Sequence, residues 1–236
     1  MKIIVAGASD GIGRDVDLAL SWRHETVRVG RRSGDVRCDD TDADSVRRMF
    51  HQIGQFDALV SVVGGDSAFG AFQELEPEQD RHGFERKLLA QVELLKQGQC
   101  SIRDNGSFVF TSGLPSHHPG PADIATGPGN SAVDALVESA AALLPRGLRL
   151  NVVSPAPGVE PGHGGAGLVT AAEAAQAYVM AVEGKMTGQV LRVCGGLHVA
   201  LESASQVPVL AHARQDQAGL YEDPVSAALS SRPRSI

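Results

Sequence analysis

Aromatic side chains are scarce in this chain. Seven Phe, two Tyr and one Trp make up 4% of its 236 residues. The tyrosines are Tyr178 and Tyr221, and no aromatic residue stands between Phe110 and Tyr178. Cysteine is also rare: Cys38, Cys100 and Cys194 are isolated and form no Cys-x-x-Cys pair. That excludes a disulfide framework and a zinc ribbon, and no metal site is expected. Unpaired thiols fit a reduced, cytoplasmic compartment. No apolar run reaches the roughly 18 to 20 residues that span a bilayer, so no membrane role is expected. Met1 leads straight into Ile3–Ile4–Val5, which reads as a buried strand and not as a secretory signal. Positive charge is in deficit. The net charge is −7, which gives a nucleic-acid role no electrostatic support.

What the chain does have is glycine and alternation. It carries 27 glycines, and its 42% hydrophobic and 21% charged residues are ordinary globular values. Short apolar runs alternate with helical stretches up to about Gly196. Strands are expected at Lys2–Ala6, Thr26–Val29, Val36–Cys38, Ala58–Val63, Ser107–Thr111, Leu148–Val153 and Gln189–Val193. Helices are expected at Ile12–Trp22, from Asp42 as a cap through Ile53, from Pro77 to about Ile102, at Ser131–Leu144 and at Ala171–Glu183. This order predicts an α/β protein, a three-layer, doubly wound parallel sheet of about seven strands. Residues 1–197 form that domain in this reading, and 198–236 form a partly irregular C-terminal extension. Ligands of such sheets bind beyond the carboxyl ends of the strands.

The first such end reads Gly7–Ala8–Ser9–Asp10–Gly11–Ile12–Gly13. Gly7 suits a tight turn, Gly11 lets a phosphate approach the backbone, and Gly13 lets the helix pack on the strand. The free N–H groups of the helix start then face a pyrophosphate. A tight turn without a ligand is the alternative.

The Gly-x3-Gly-x-Gly spacing resembles the short-chain dehydrogenase/reductase family, whose fold is the Rossmann fold. The resemblance runs over about residues 1–197. Cys38–Asp39–Asp40–Thr41–Asp42 resembles the family's acidic motif, which implies that Asp39, with Asp40 beside it, meets the adenine. Ser61–Val62–Val63–Gly64 stands where the family has Asn-Asn-Ala-Gly, and only Gly64 is kept. Phe108–Gly113 resembles the strand with the catalytic serine. Asn151–Pro155 resembles the segment that covers nicotinamide, which puts Pro155 at the cofactor.

Cofactor choice in this family lies after the second strand. A carboxylate there favours NAD, and a positive group favours the 2′-phosphate of NADP. The chain has Gly30–Arg31–Arg32–Ser33 and no acid before Asp35. Paired arginines clamp a phosphate well, so NADP(H) is expected. A plain surface arginine pair is the alternative, and Asp10 in the glycine loop argues against the phosphate.

The resemblance implies a catalytic tetrad of Asn, Ser, Tyr and Lys. Ser112 takes the serine position. With Ala132–Leu136 aligned to the family's helix, Thr126 falls at tyrosine and Asn130 at lysine. A shift by one residue gives Ala125 and Gly129. Neither register restores the pair, and divergent bacterial members of the family lack it too. Thr126 is no acid, but it can donate a hydrogen bond. Lys87 takes the asparagine position. Turned inward it would replace the missing lysine; turned outward it is an ordinary helix lysine. His117 and His118 are further proton-donor candidates or solvent-facing residues, and His163 lies in a short glycine-rich covering loop. Three functions stay open. The first is an NADP(H)-dependent oxidoreductase of a small carbonyl or alcohol substrate. The second is a non-redox enzyme on the same fold, and the third is a non-catalytic nucleotide binder. A homodimer or homotetramer is implied by the resemblance.

Overall fold

The computed structural model describes residues 1–9, 11–62, 85–113, 127–156, 169–194 and 198–203. The chain begins with β1 (Lys2–Ala6), α1 (Gly11–Ser21), β2 (Glu25–Gly30) and β3 (Val36–Arg37). α2 (Ala43–Ile53) and β4 (Phe56–Ser61) follow. A π-helical turn, Glu85–Leu89, runs into α3 (Ala90–Gly98). Then come β5 (Ile102–Thr111), α4 (Gly127–Ala140), β6 (Arg149–Pro155), α5 (Ala171–Glu183), β7 (Gln189–Cys194) and β8 (His198–Ser203). The sheet order is β3-β2-β1-β4-β5-β6-β7-β8. The first seven strands are parallel, and the doubly wound order reverses beside β1. Among the described residues no helix is long and apolar enough to cross a membrane.

Alternation along each strand builds two cores. Ile4, Leu59, Phe108, Phe110 and Val152 face α2, α3 and α4. Ile3, Val5, Val60, Val109 and Val153 face α1 and α5. The few aromatics concentrate on the first face. Phe50 stacks on Phe56 at 5.6 Å, and Phe56 meets Phe108 edge-on at 6.4 Å. On the second face α5 presents Ala174, Ala175, Ala177 and Ala181, all buried, with Tyr178 as its one large buried side chain. Asp42 caps α2 as its position suggests: its side chain accepts the Asp44 N–H. α5 opens with a capping box between Thr170 and Glu173, worth on the order of 1 kcal/mol.

The structure departs from the sequence reading at three places. β5 is longer, starting at Ile102, so the preceding helix stops at Gly98. α4 starts at Gly127, four residues before the expected Ser131. Gly-Pro-Gly reads locally as a loop, but Pro128 suits a first helical turn. A side chain on Gly129 would press on the Lys87 stem at 3.4 Å, so a small residue serves here. Finally, β8 pairs antiparallel with β7, from Gln189↔Ser203 to Cys194↔His198. The sequence places these residues at the start of the extension. They carry a weak strand pattern, and the free edge of β7 organises them.

Tyr178 answers the question that the aromatic gap raises. It lies on α5, fully buried, and its hydroxyl lies 2.7 Å from Thr111 Oγ1. Burial pushes its phenol above the ordinary range. It is a structural residue on the α1/α5 face. Tyr178→Phe is expected to fold with a loss of about 1 kcal/mol in urea unfolding.

Candidate functional site

The carboxyl ends of β1, β2, β4, β5 and β6 meet along one edge of the sheet. Gly7 turns out of β1 with φ +86, and its N–H donates to Val29 O at 2.9 Å. A Cβ on Gly13 would lie 1.9 Å from Gly7 O, so only glycine lets α1 sit this close. At Gly11 (φ +48) an added Cβ meets nothing within 4 Å. The space before the start of α1 is therefore open, and α1 has no acidic residue in its first turn. Backbone N–H groups and the positive end of the helix dipole are available there to a phosphate. Ile12 follows, half-buried against the α1/α5 core. Ser9 Oγ lies 2.8 Å from Ser33 Oγ, which ties the glycine loop to the loop after β2.

That second loop withdraws its acid. Asp35 is held by Arg28 through Nη2–Oδ1 at 2.7 Å and Nε–Oδ2 at 3.1 Å. The Arg28 N–H also donates to Oδ2 at 2.9 Å. These bonds hold the Asp35 carboxyl below its ordinary value. Arg31 and Arg32 stay exposed and make no ion pair within 4 Å among the described residues. Asp39 and Asp40 sit in the field of Arg31. Asp39 Oδ1 accepts from Thr41 N–H at 3.1 Å and Thr41 Oγ1 at 2.7 Å, which lowers its carboxyl. Asp40 has a buried Oδ1 with no hydrogen-bond partner, and burial raises its carboxyl.

The end of β5 is held from both sides. Thr111 Oγ1 donates to Ser61 O at 2.6 Å and accepts from Tyr178 Oη. Its backbone is clamped by Gln91, which is fully buried. Thr111 N–H donates to Gln91 Oε1 at 3.0 Å. Gln91 Nε2 donates to Thr111 O at 3.1 Å and to Lys87 O at 2.7 Å. One side chain thus joins the π-turn to the strand end. π-Turns of this kind recur at functional sites.

This clamp brings Lys87 to Ser112. Lys87 Nζ donates to Ser112 O at 3.0 Å. Burial draws the Lys87 ammonium down to about 8, against the opposing pull of the Asp134 carboxylate. Ser112 is buried, and its Oγ has no partner. Ser61 Oγ and Ser154 Oγ are buried without partners too. By strand alternation all three serines lie on the face that α2, α3 and α4 cover. Asn130 is buried beside them with Oδ1 unpartnered, and a Cβ on Gly113 would lie 2.9 Å from its Nδ2. Buried polar atoms are nearly always satisfied, so this cluster is shaped for a hydrogen-bonding ligand. Pro155 is buried at the end of β6.

The structure thus gathers Ser112 and Lys87, and separately Gly7, Ser9, Gly11, Ile12, Gly13, Arg31, Arg32, Asp39 and Asp40. Asp10, Gly64, His117, His118, Thr126 and His163 lie outside the described residues. Sequence reasoning did not single out Gln91 or Asp134. Gln91 had a faint signal, standing four residues after Lys87 on one helical face. Gln91→Leu is expected to cost about 3 kcal/mol in chemical unfolding, because it leaves Thr111 N–H without its partner.

A family model described as enoyl-(acyl carrier protein) reductase matches residues 15–164. No curated protein matches the chain. Among solved structures, the protein lin1944 from Listeria innocua is 37% identical with a TM-score of 0.77, covering 82% of this chain and 99% of its own. A small-chain dehydrogenase solved in complex with NADPH is 27% identical with a TM-score of 0.74, covering 84% and 98%. A further small-chain dehydrogenase is 29% identical with a TM-score of 0.73, covering 83% and 97%.

Proposed function

The chain belongs to the short-chain dehydrogenase/reductase family, and from that premise we propose that it is an NADP(H)-dependent oxidoreductase of a small carbonyl or alcohol substrate. The observation that carries this reading is the meeting of Lys87 and Ser112 at the end of β5, on the same sheet edge as the open glycine cradle. The cradle fits a dinucleotide: Gly11 leaves room at the helix start, with Gly7, Ser9, Ile12 and Gly13 shaping the loop. Gly64 and Pro155 belong to the same cofactor site. Asp39 and Asp40 would hold the adenine end. Arg31 and Arg32 favour the 2′-phosphate, because the nearby acid, Asp35, is already engaged by Arg28. The NADPH held by a 27% identical structure supports the same choice.

A nicotinamide held in this cradle would supply the hydride. Ser112 Oγ orients the substrate oxygen, with Thr126 as a second hydrogen-bond donor. Lys87 gives the oxygen its proton and takes the place of the absent tyrosine. An amine titrating near 8 suits that task at neutral pH. The chain works in this reading as a homodimer or homotetramer in the cytoplasm.

Fluorescence titration is expected to show NADPH binding at least about tenfold more tightly than NADH. Arg31→Ala/Arg32→Ala should remove that preference, and failure of both nucleotides to bind would end the proposal. With a responsive carbonyl substrate, Ser112→Ala should lower turnover about a hundredfold. Because Lys87 must be protonated to donate, carbonyl reduction should fall as pH rises through about 8. A rate that stays flat up to pH 10 would remove Lys87 from the proton transfer.

A further inference from the structure

The π-turn, which carries Lys87, packs on α4, which carries Asp134. α4 sends one face inward, made of Gly129, Asn130, Val133, Asp134 and Val137. Four of these are small, neutral or apolar, and Asp134 is a carboxylate with only 5% of its surface exposed. A carboxylate at that depth is strongly disfavoured without a compensating charge. Asp134 stands one helical turn beyond Asn130, whose Nδ2 lies 2.9 Å from where a Cβ on Gly113 would be. A Cβ built on Gly129 would lie 3.4 Å from the Lys87 stem, and the Lys87 Nζ reaches Ser112 O. The two charged groups therefore approach one buried seam from opposite elements.

We propose that Asp134 is a positioning residue that keeps the Lys87 amine charged and directed at the Ser112 pocket. The inference rests on the reading of Lys87 as the proton donor. The surrounding charges leave Asp134 as the partner. α3 carries Glu93 and Lys96, which pair with each other at 3.7 Å. On α4 the other acid, Glu138, is exposed. Thr111 and Ser112, at the end of β5, are uncharged. Among the described residues Asp134 is the charged group that acts on Lys87, and it favours the protonated amine. The carboxylate has a definite task there. Burial alone would leave Lys87 neutral too early, and a neutral amine has no proton to give. Gln91 fixes the backbone of the turn, and Asp134 fixes the charge at its tip.

The test reads the amine directly. The chain has four lysines, Lys2, Lys87, Lys96 and Lys185, so lysine labelled with carbon-13 gives few side-chain signals. Lys87→Arg assigns the Lys87 signal. In the wild-type protein its titration midpoint is expected near 8. Asp134→Asn should move that midpoint down by about one pH unit, and Asp134→Glu should return it toward the wild-type value. An unchanged midpoint in a folded Asp134→Asn variant overturns the proposal. If Asp134→Asn does not fold, a wild-type midpoint retained in Asp134→Glu supports it, and one equal to free lysine overturns it. A wild-type Lys87 that titrates like an exposed lysine overturns the proton-donor reading instead. Where a carbonyl substrate is turned over, the alkaline fall in rate should follow the same downward shift. A merely structural Asp134 would change stability and leave that limb in place.

Discussion

Thr111 is a small residue at the end of the central strand, and both faces of the sheet converge on it. From the α1/α5 face Tyr178 reaches its hydroxyl. From the other face Gln91 takes its backbone N–H and C=O. Through Ser61 O the same hydroxyl ties β5 to β4. Each of these groups is buried, so each bond forms where water cannot compete. The next residue is Ser112. Its position is therefore set by packing and hydrogen bonds on both sides of the sheet, and its own hydroxyl stays unpartnered. The Lys87 turn depends on the same clamp, because its carbonyl shares the Gln91 amide.

This arrangement explains how a lean sequence builds a defined site. The polar atoms that support the strand end are satisfied within the protein. Those that line the adjoining space, Ser61, Ser112, Ser154 and Asn130, are not. Buried hydroxyl and amide atoms grouped in this way suit a hydrogen-bonding ligand. At the other end of the sheet edge the logic is electrostatic. Arg28 pairs with Asp35, while Arg31 and Arg32 are exposed.

The fold was legible because its signals are local. The apolar runs at Ile3–Val5 and Ala58–Val60 alternate between two cores, as parallel strands covered on both faces do. Gly7 and Gly13 stand where backbone geometry leaves no alternative. The start of α4 was not legible: Gly127–Pro128–Gly129 has loop propensity, and only contact with Lys87 shows why small residues sit in that helix. β8 was missed for a similar reason, since its order comes from a neighbouring edge.

The sequence by itself determined the layered parallel sheet and the glycine turn. These follow from periodicity, backbone sterics and residue identity, which need no partner. Tertiary structure alone decided which way Lys87 points, that Gln91 binds the turn to the strand, and that Asp134 is buried. Each depends on groups far apart in sequence and on burial, and burial turns an ordinary surface lysine into an amine that titrates near 8.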